Sequence, residues 1–308
     1  MKILVMGAGA LGGFYGARLA RDGHEVTLVA RGAHLDAMQR AGLRVESPLG
    51  DLHVTDFHAT DRPEGNPDIV LLMVKNRDVE DAGAQVKPFL NDDSAVVTVQ
   101  NGVSAPERLG RVIGAERVIS GSVFMPASIK TPGVILHSSD NSLVRAGVRD
   151  GGPSDLCDRL IAALAATGVA TERVEDTDKM LWEKMIFQSV FSAITTLTRL
   201  DIGPLRDCPE TLALLRAGVE EAAAVGKAAG INLDADVAEV QFARLMEGLP
   251  RHSHASMLDD LNRGKPLELE YLSGEIVRLG LKHGISTPTH SFMQAALLPF
   301  AQGAPAAP

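Results

Sequence analysis

The segment Gly7-Ala8-Gly9-Ala10-Leu11-Gly12-Gly13 constrains this chain more than any other. It follows the apolar run Ile3–Met6, read as a buried parallel strand, and precedes a helical stretch that reaches about Arg21. Asp22-Gly23 breaks that helix, and Glu25–Ala30 reads as the next strand. A strand, a Gly-x-Gly-x-x-Gly turn, a helix and a second strand make a βαβ unit shaped for a dinucleotide. Gly7 permits the tight turn, and Gly9 lets backbone approach a pyrophosphate. Gly12 lets the helix pack closely on the strand, with the diphosphate at the helix N-terminus. Residues 7–12, with Ala8, Ala10 and Leu11 between the glycines, are therefore the expected cofactor cradle.

The same texture continues downstream. Asp68–Val74 and Ser94–Val99 are apolar runs closed by polar residues, and Arg117–Phe124 and Val134–Leu136 are further strand candidates. Strands alternating with helical stretches imply an α/β domain with a parallel sheet covered on both faces. From about Thr177 the strands give way to helical patterns over 177–200, 209–230, 234–248 and 267–284. The expected architecture is α/β: a Rossmann-type dinucleotide-binding domain over 1–174, followed by an all-helical domain over 175–308. The tail Gly303–Pro308 is of low complexity and is expected to fray.

Composition narrows the partners. A net charge of −9 with no long run of like charge argues against a nucleic-acid or acidic-membrane partner. No apolar run approaches the roughly 18 residues of a membrane span, and no signal peptide is read, so a cytoplasmic location is expected. Cys157 and Cys208 form no metal or redox spacing and read as reduced thiols. His252 and His254 lack further ligands nearby and read as surface or loop residues, so no metal is expected.

Cofactor choice turns on the end of the second strand. An acidic residue there holds the ribose 2′-hydroxyl of NAD, whereas an arginine accommodates the 2′-phosphate of NADP. This chain reads Leu28-Val29-Ala30-Arg31, with Glu25 at the opposite end, so NADP(H) is the expected cofactor. Lys75 and Asn101 follow the next two strands, on the edge where ligands bind in open α/β sheets. Each alone is equally a solvated strand end; beside the glycine turn they read as lining a cleft.

Met185–Thr198 contains no charged residue, so its helix should be buried on most sides. Lys184, Gln188 and Ser192, spaced i, i+4, i+8, form one polar stripe on that rod. The lysine either snorkels at the helix start or faces a wet pocket, where partial burial would lower its pKa toward a range useful for proton transfer. Glu268 and Glu270 fall in the expected first turn of the 267–284 helix, where a capping or dipole role is the simpler reading.

Taken together, Gly7–Gly12, Val74-Lys75, Gln100-Asn101-Gly102, Trp182-Glu183-Lys184, Ser256-Met257-Leu258, Glu268 and His283-Gly284-Ile285 with Pro288 resemble the ketopantoate reductase family over essentially the whole chain. The resemblance implies NADPH-dependent reduction of 2-dehydropantoate to pantoate, a step towards pantothenate and coenzyme A. It makes Lys184 the catalytic proton donor and Glu268 the acidic residue that binds the substrate hydroxyl and supports that lysine. It makes Ser256 a ligand of the substrate carboxylate, and Asn101 a residue near both nicotinamide and substrate. Lys75 becomes a lysine that helps to bind cofactor and substrate.

Gln188 and Ser192 stand where the family often carries asparagines that hydrogen-bond the substrate. A site built on particular hydrogen bonds discriminates strongly against altered partners. The reaction type therefore survives this departure better than the substrate does. One alternative is a reductase of another 2-oxo or 3-oxo acid. The other is a non-catalytic NADPH-binding protein, against which Lys184 and Glu268 weigh. The partner expected is a small 2-oxo acid; alanine-rich helices can pack within one chain or across a homodimer, and both states are left open.

Overall fold

The computed structural model describes residues 1–149 and 151–304; of the expected tail, residues 305–308 lie outside the described residues. The first half alternates strands and helices: β1 (Lys2–Met6), α1 (Ala10–Arg21), β2 (Glu25–Val29), α2 (Gly32–Ala41), β3 (Leu43–Glu46), β4 (Leu52–Val54), β5 (His58–Thr60) and β6 (Ile69–Leu72). It continues with α3 (Val79–Val86), β7 (Ala95–Thr98), α4 (Ala105–Ile113), β8 (Val118–Phe124), β9 (Ala127–Thr131), β10 (Val134–His137), β11 (Leu143–Gly147), α5 (Ser154–Ala166) and β12 (Thr171–Arg173).

Eight of these strands form one sheet in the order β12-β11-β8-β7-β6-β1-β2-β5. Pairing is parallel from β5 to β8, and β11 joins β8 antiparallel. β2 and β5 are laid down on one side of β1 and β6 on the other, so the winding reverses at the β1–β6 seam, where Met6 pairs with Leu72. Such a switch point is where an open α/β sheet binds its ligand.

Successive strand residues point to opposite faces. Val5, Leu71 and Val97 pack with Phe14 and Leu19 of α1 and Leu160 of α5. Their neighbours Leu4, Val70 and Val96 pack with Val79 and Ala82 of α3 and Leu109 of α4. A strand buried on both faces must be apolar at every position, and all four residues of β6 are buried.

A second sheet, β4-β3-β10-β9, departs from the expectation of one. Its strands are three to five residues long and mix buried with exposed positions, too little pattern to stand out in sequence. It packs on α1: a Cβ on Gly13 would sit 3.2 Å from the Ile135 side chain, so this glycine makes room for the second sheet.

The chain divides into two compact units, Met1–Gln100 with Ser104–Thr177, and Asn101–Val103 with the chain from Asp178 onward. The second is helical: α6 (Thr177–Thr198), α7 (Ile202–Asp207), α8 (Pro209–Ala228), α9 (Val237–Glu247), α10 (Ser256–Asn262), α11 (Ser273–His283) and α12 (Pro288–Leu297). In α6, Met185, Ile186, Val190, Ala193 and Ile194 are almost fully buried, in keeping with the charge-free stretch Met185–Thr198. The helix expected from 267 instead begins at Ser273, after a single 3-10 turn at Leu269–Tyr271. Leu267, Leu269 and Leu272 are all buried. On one continuous helix the first two would point to opposite sides, so the chain must leave helical geometry to bury both.

α12 starts on a carboxylate, since the Thr289 and His290 amides donate to Glu221 at 2.8 and 3.0 Å. Among the described residues no helix is long and apolar enough to cross a membrane, and no cluster of side chains could hold a metal ion. Both cysteines are free thiols.

Candidate active site

In the first unit, the Gly7 and Ala8 amides both donate to the Val29 carbonyl, at 3.2 and 2.7 Å, so the end of β2 is tied to the glycine turn. Gly7 has φ +99°, and a Cβ there would lie 3.0 Å from the Met73 carbonyl. At Gly12 a Cβ would overlap the Gly7 carbonyl, whereas Gly9 faces open space. α1 has neither a side-chain cap nor an acidic residue in its first turn, and its first helical bond runs from the Gly13 amide to the Gly9 carbonyl. The amides of Ala10, Leu11 and Gly12 therefore have no acceptor within the helix. An open approach at Gly9 and uncapped amides fit a dinucleotide diphosphate.

Arg31 is exposed, in extended conformation, immediately before α2. Lys75 is exposed where β6 gives way to the 3-10 turn Asn76–Asp78. The backbone beneath it is held twice. Gln100 donates to the Leu72 and Val74 carbonyls at 2.7 and 3.1 Å. Arg108 donates to the side chain and the carbonyl of buried Asn76 at 3.0 and 2.8 Å, and to Glu80 through Nε at 2.6 Å. That hydrogen bond holds the Glu80 carboxyl below the usual carboxylate range.

In the second unit, Lys184 is only 7% exposed, so it does not snorkel. Burial pushes its ammonium down to about 8; Glu268 acts against this, and the like charge of Arg244 adds to it. Asn101, which leaves the end of β7 to join the helical unit, donates to Glu268 Oε2 at 3.3 Å. Gly102 (φ +88°) makes that approach feasible, because a Cβ there would run into the Tyr271 carbonyl of the turn that follows Glu268. Glu268 itself directly precedes that 3-10 turn and is half-buried, so it caps no α-helix.

Gln188 Nε2 donates to Ser192 Oγ at 2.8 Å, so these two side chains are engaged with each other. Ser256, the first residue of α10, is exposed. The residue before it, Ala255, donates its amide to Thr195 Oγ1 at 3.4 Å. Thr195 extends the stripe of Lys184, Gln188 and Ser192 by one more turn, a signal that was available in the sequence. Arg244 was not legible in the same way. It lies on α9 among Glu239, Glu247 and other surface-type residues, yet its guanidinium stands 4.9 Å from the Phe187 ring.

Residues 3–150 match the family model described as ketopantoate reductase PanE/ApbA, and residues 176–300 match that of its C-terminal part. A 2-dehydropantoate 2-reductase from Mesorhizobium japonicum is 31% identical, the match covering 94% of this chain and 94% of that protein. One from Pyrococcus horikoshii is 28% identical over 96% of each. The crystal structure of a PanE/ApbA family ketopantoate reductase from Ralstonia eutropha is similar with a TM-score of 0.89 and 33% identity, covering 98% of both chains.

Proposed function

The chain belongs to the ketopantoate reductase family, and on that premise we propose that it reduces 2-dehydropantoate to pantoate with NADPH, a step towards pantothenate and coenzyme A. The observation that carries this reading is Lys184, a buried ammonium brought down to about 8, in the field of a carboxylate that Asn101 holds. A proton donor works best when its pKa lies near the working pH.

NADPH, when bound, would supply the hydride that the ketone carbon receives. Lys184 polarises the ketone oxygen and gives it a proton as the carbonyl bond becomes an alkoxide, then regains a proton from solvent. Glu268 binds the substrate hydroxyl and keeps the lysine charged by its own negative charge. Ser256 takes the substrate carboxylate. Residues 7–12 would hold the diphosphate and Arg31 the 2′-phosphate, with Lys75 and Asn101 assisting at the reacting end. In this reading residues 1–174 are the cofactor domain and 175–308 the substrate domain.

The test is loss of NADPH absorbance with 2-dehydropantoate, run beside a panel of other 2-oxo acids. Wild-type turnover on 2-dehydropantoate is expected, and Lys184→Ala should lower kcat by about 100-fold or more while NADPH affinity stays within a few-fold. Unchanged turnover in that variant would remove the lysine from the chemistry. A second reading, a different 2-oxo acid, is favoured by the Gln188–Ser192 hydrogen bond, which turns a Gln188 N–H onto the Ser192 oxygen. Faster turnover of another panel member would select it.

A further inference from the structure

Around Lys75 the carbonyls of Val74, Lys75 and Asn76, three in succession, each accept from a different group. Gln100 Nε2 donates to Val74 at 3.1 Å, the Asp78 amide to Lys75 at 2.9 Å, and Arg108 Nη2 to Asn76 at 2.8 Å. The backbone from which the lysine projects is therefore fixed before it, at it and after it.

Two of these donors belong to the local chain path. The Asp78 amide closes the 3-10 turn that follows the lysine, and Gln100 lies just past the adjoining strand β7. Arg108 comes from elsewhere, as the fourth residue of α4. Its Nη1 also donates to Asn76 Oδ1 at 3.0 Å, and its Nε to Glu80, the second residue of α3, at 2.6 Å. A further bond runs from Nη2 to the other Glu80 oxygen. One guanidinium thus grips the backbone and the side chain of Asn76 and the start of α3 together. Asn76 is fully buried, and Leu109, beside Arg108, packs with Val79 and Ala82 of α3, so the fork has a rigid base. Apolar side chains could close such a gap without needing partners, often at no loss of stability. What the polar set adds is direction, because a planar fork fits its acceptors in one arrangement only.

We propose that Arg108 is a positioning residue for Lys75: by clamping Asn76 between α3 and α4, it fixes the backbone that presents the lysine to NADPH or to the substrate. The proposal rests on reading Lys75 as a ligand at the reacting end. Without the guanidinium, the Asn76 carbonyl and side chain lose these bonds, the turn loosens, and the lysine loses its aim. Arg108 then acts on binding only through Lys75, so the effects of removing the two are not additive. A residue that merely stabilises the fold would act equally with or without the lysine.

The experiment is a double-mutant cycle on the full chain: wild type, Arg108→Ala, Lys75→Ala and the double variant. Each is measured for kcat/KM, with NADPH varied and with 2-dehydropantoate varied, for NADPH Kd by nicotinamide fluorescence, and for Tm. Arg108→Ala should lower kcat/KM by about tenfold, which is 1.4 kcal/mol, chiefly through KM. Where Lys75 is already alanine, the same change should cost less than about twofold. Arg108→Lys keeps a charge beside Glu80 but has no fork for both acceptors of Asn76, so it should keep the wild-type Tm and still lose about threefold. A loss that recurs undiminished without Lys75 would overturn the proposal, as would a lower Tm with kinetics unchanged in Arg108→Ala. If Arg108→Ala does not fold, the same cycle run with Arg108→Lys decides. If the wild type reduces no 2-oxo acid, the reading of the reaction fails, while the cycle in NADPH Kd still decides whether Arg108 acts through Lys75. Wild-type kinetics and affinity in Lys75→Ala would refute the reading of that lysine, and the proposal with it.

Discussion

At the scale of the residue, the function proposed for Lys184 depends on what surrounds it. An exposed lysine holds its proton too tightly near neutrality to donate it readily; burial with a nearby arginine brings it to about 8, and Glu268 limits the fall. In the proposed reduction this ammonium is the proton donor, so kcat should decline as pH rises through about 8. Removing Arg244 takes away a like charge, which stabilises the ammonium and raises the pKa of Lys184. Arg244→Gln is therefore expected to move the alkaline limb of the pH–kcat profile upward. A limb that stays in place would show that Arg244 does not act on this lysine.

At the scale of the element, α1 and α12 begin in opposite ways. α1 starts at glycines with no side-chain cap, leaving its amides for a ligand, whereas α12 starts on the Glu221 carboxylate. Gly12→Ala would force a Cβ onto the Gly7 carbonyl and separate α1 from β1. We expect weaker NADPH binding and a loss of about 1–3 kcal/mol in stability, the range for overpacking a close-packed site. Glu221→Ala would strip the acceptor from two α12 amides and should cost about 1–2 kcal/mol. Urea unfolding of both variants measures these losses; wild-type midpoints would contradict the packing argument at Gly12 and the capping argument at Glu221.

At the scale of the whole molecule, two buried groups shape stability against pH. His290 is fully buried, with Nδ1 near Ser273 Oγ at 3.2 Å and Nε2 on the Gly218 carbonyl at 3.0 Å. Burial pushes its pKa below the ordinary value, so the unfolded chain binds a proton more readily than the folded one. Stability is then complete above about pH 6.5 and falls as the medium is acidified below it. Tm should drop from pH 7 to pH 5 more steeply in the wild type than in His290→Gln; equal slopes would count against this assignment. Lys184 works from the other side. Its ammonium is less welcome in the fold than in the unfolded chain, and the gap from 10.5 to about 8 corresponds to about 3 kcal/mol at neutral pH. That cost is relieved as pH rises from 8 towards 10.5. Lys184→Met should raise Tm at pH 7 while abolishing turnover, and a lower Tm would show that the lysine is not strained by burial.

The sequence by itself determined whatever depends on short-range pattern. The glycine turn between a strand and a helix, the apolar runs of the doubly covered sheet and the charge-free stretch that follows Lys184 all follow from local sterics and from periods of two and 3.6 residues. Glu268 was a helix cap by that logic, because glutamate near an expected helix start ordinarily is one. Tertiary structure alone decided otherwise, since burying Leu267, Leu269 and Leu272 together broke the helix and set Glu268 beside Asn101. It also brought Arg244 over Phe187 and Arg108 onto Asn76. Residues this far apart in the chain meet through packing, and no local period encodes the meeting. The firm turn of Gly7–Gly12 could thus be read in advance, whereas the neighbours that tune Lys184 could not.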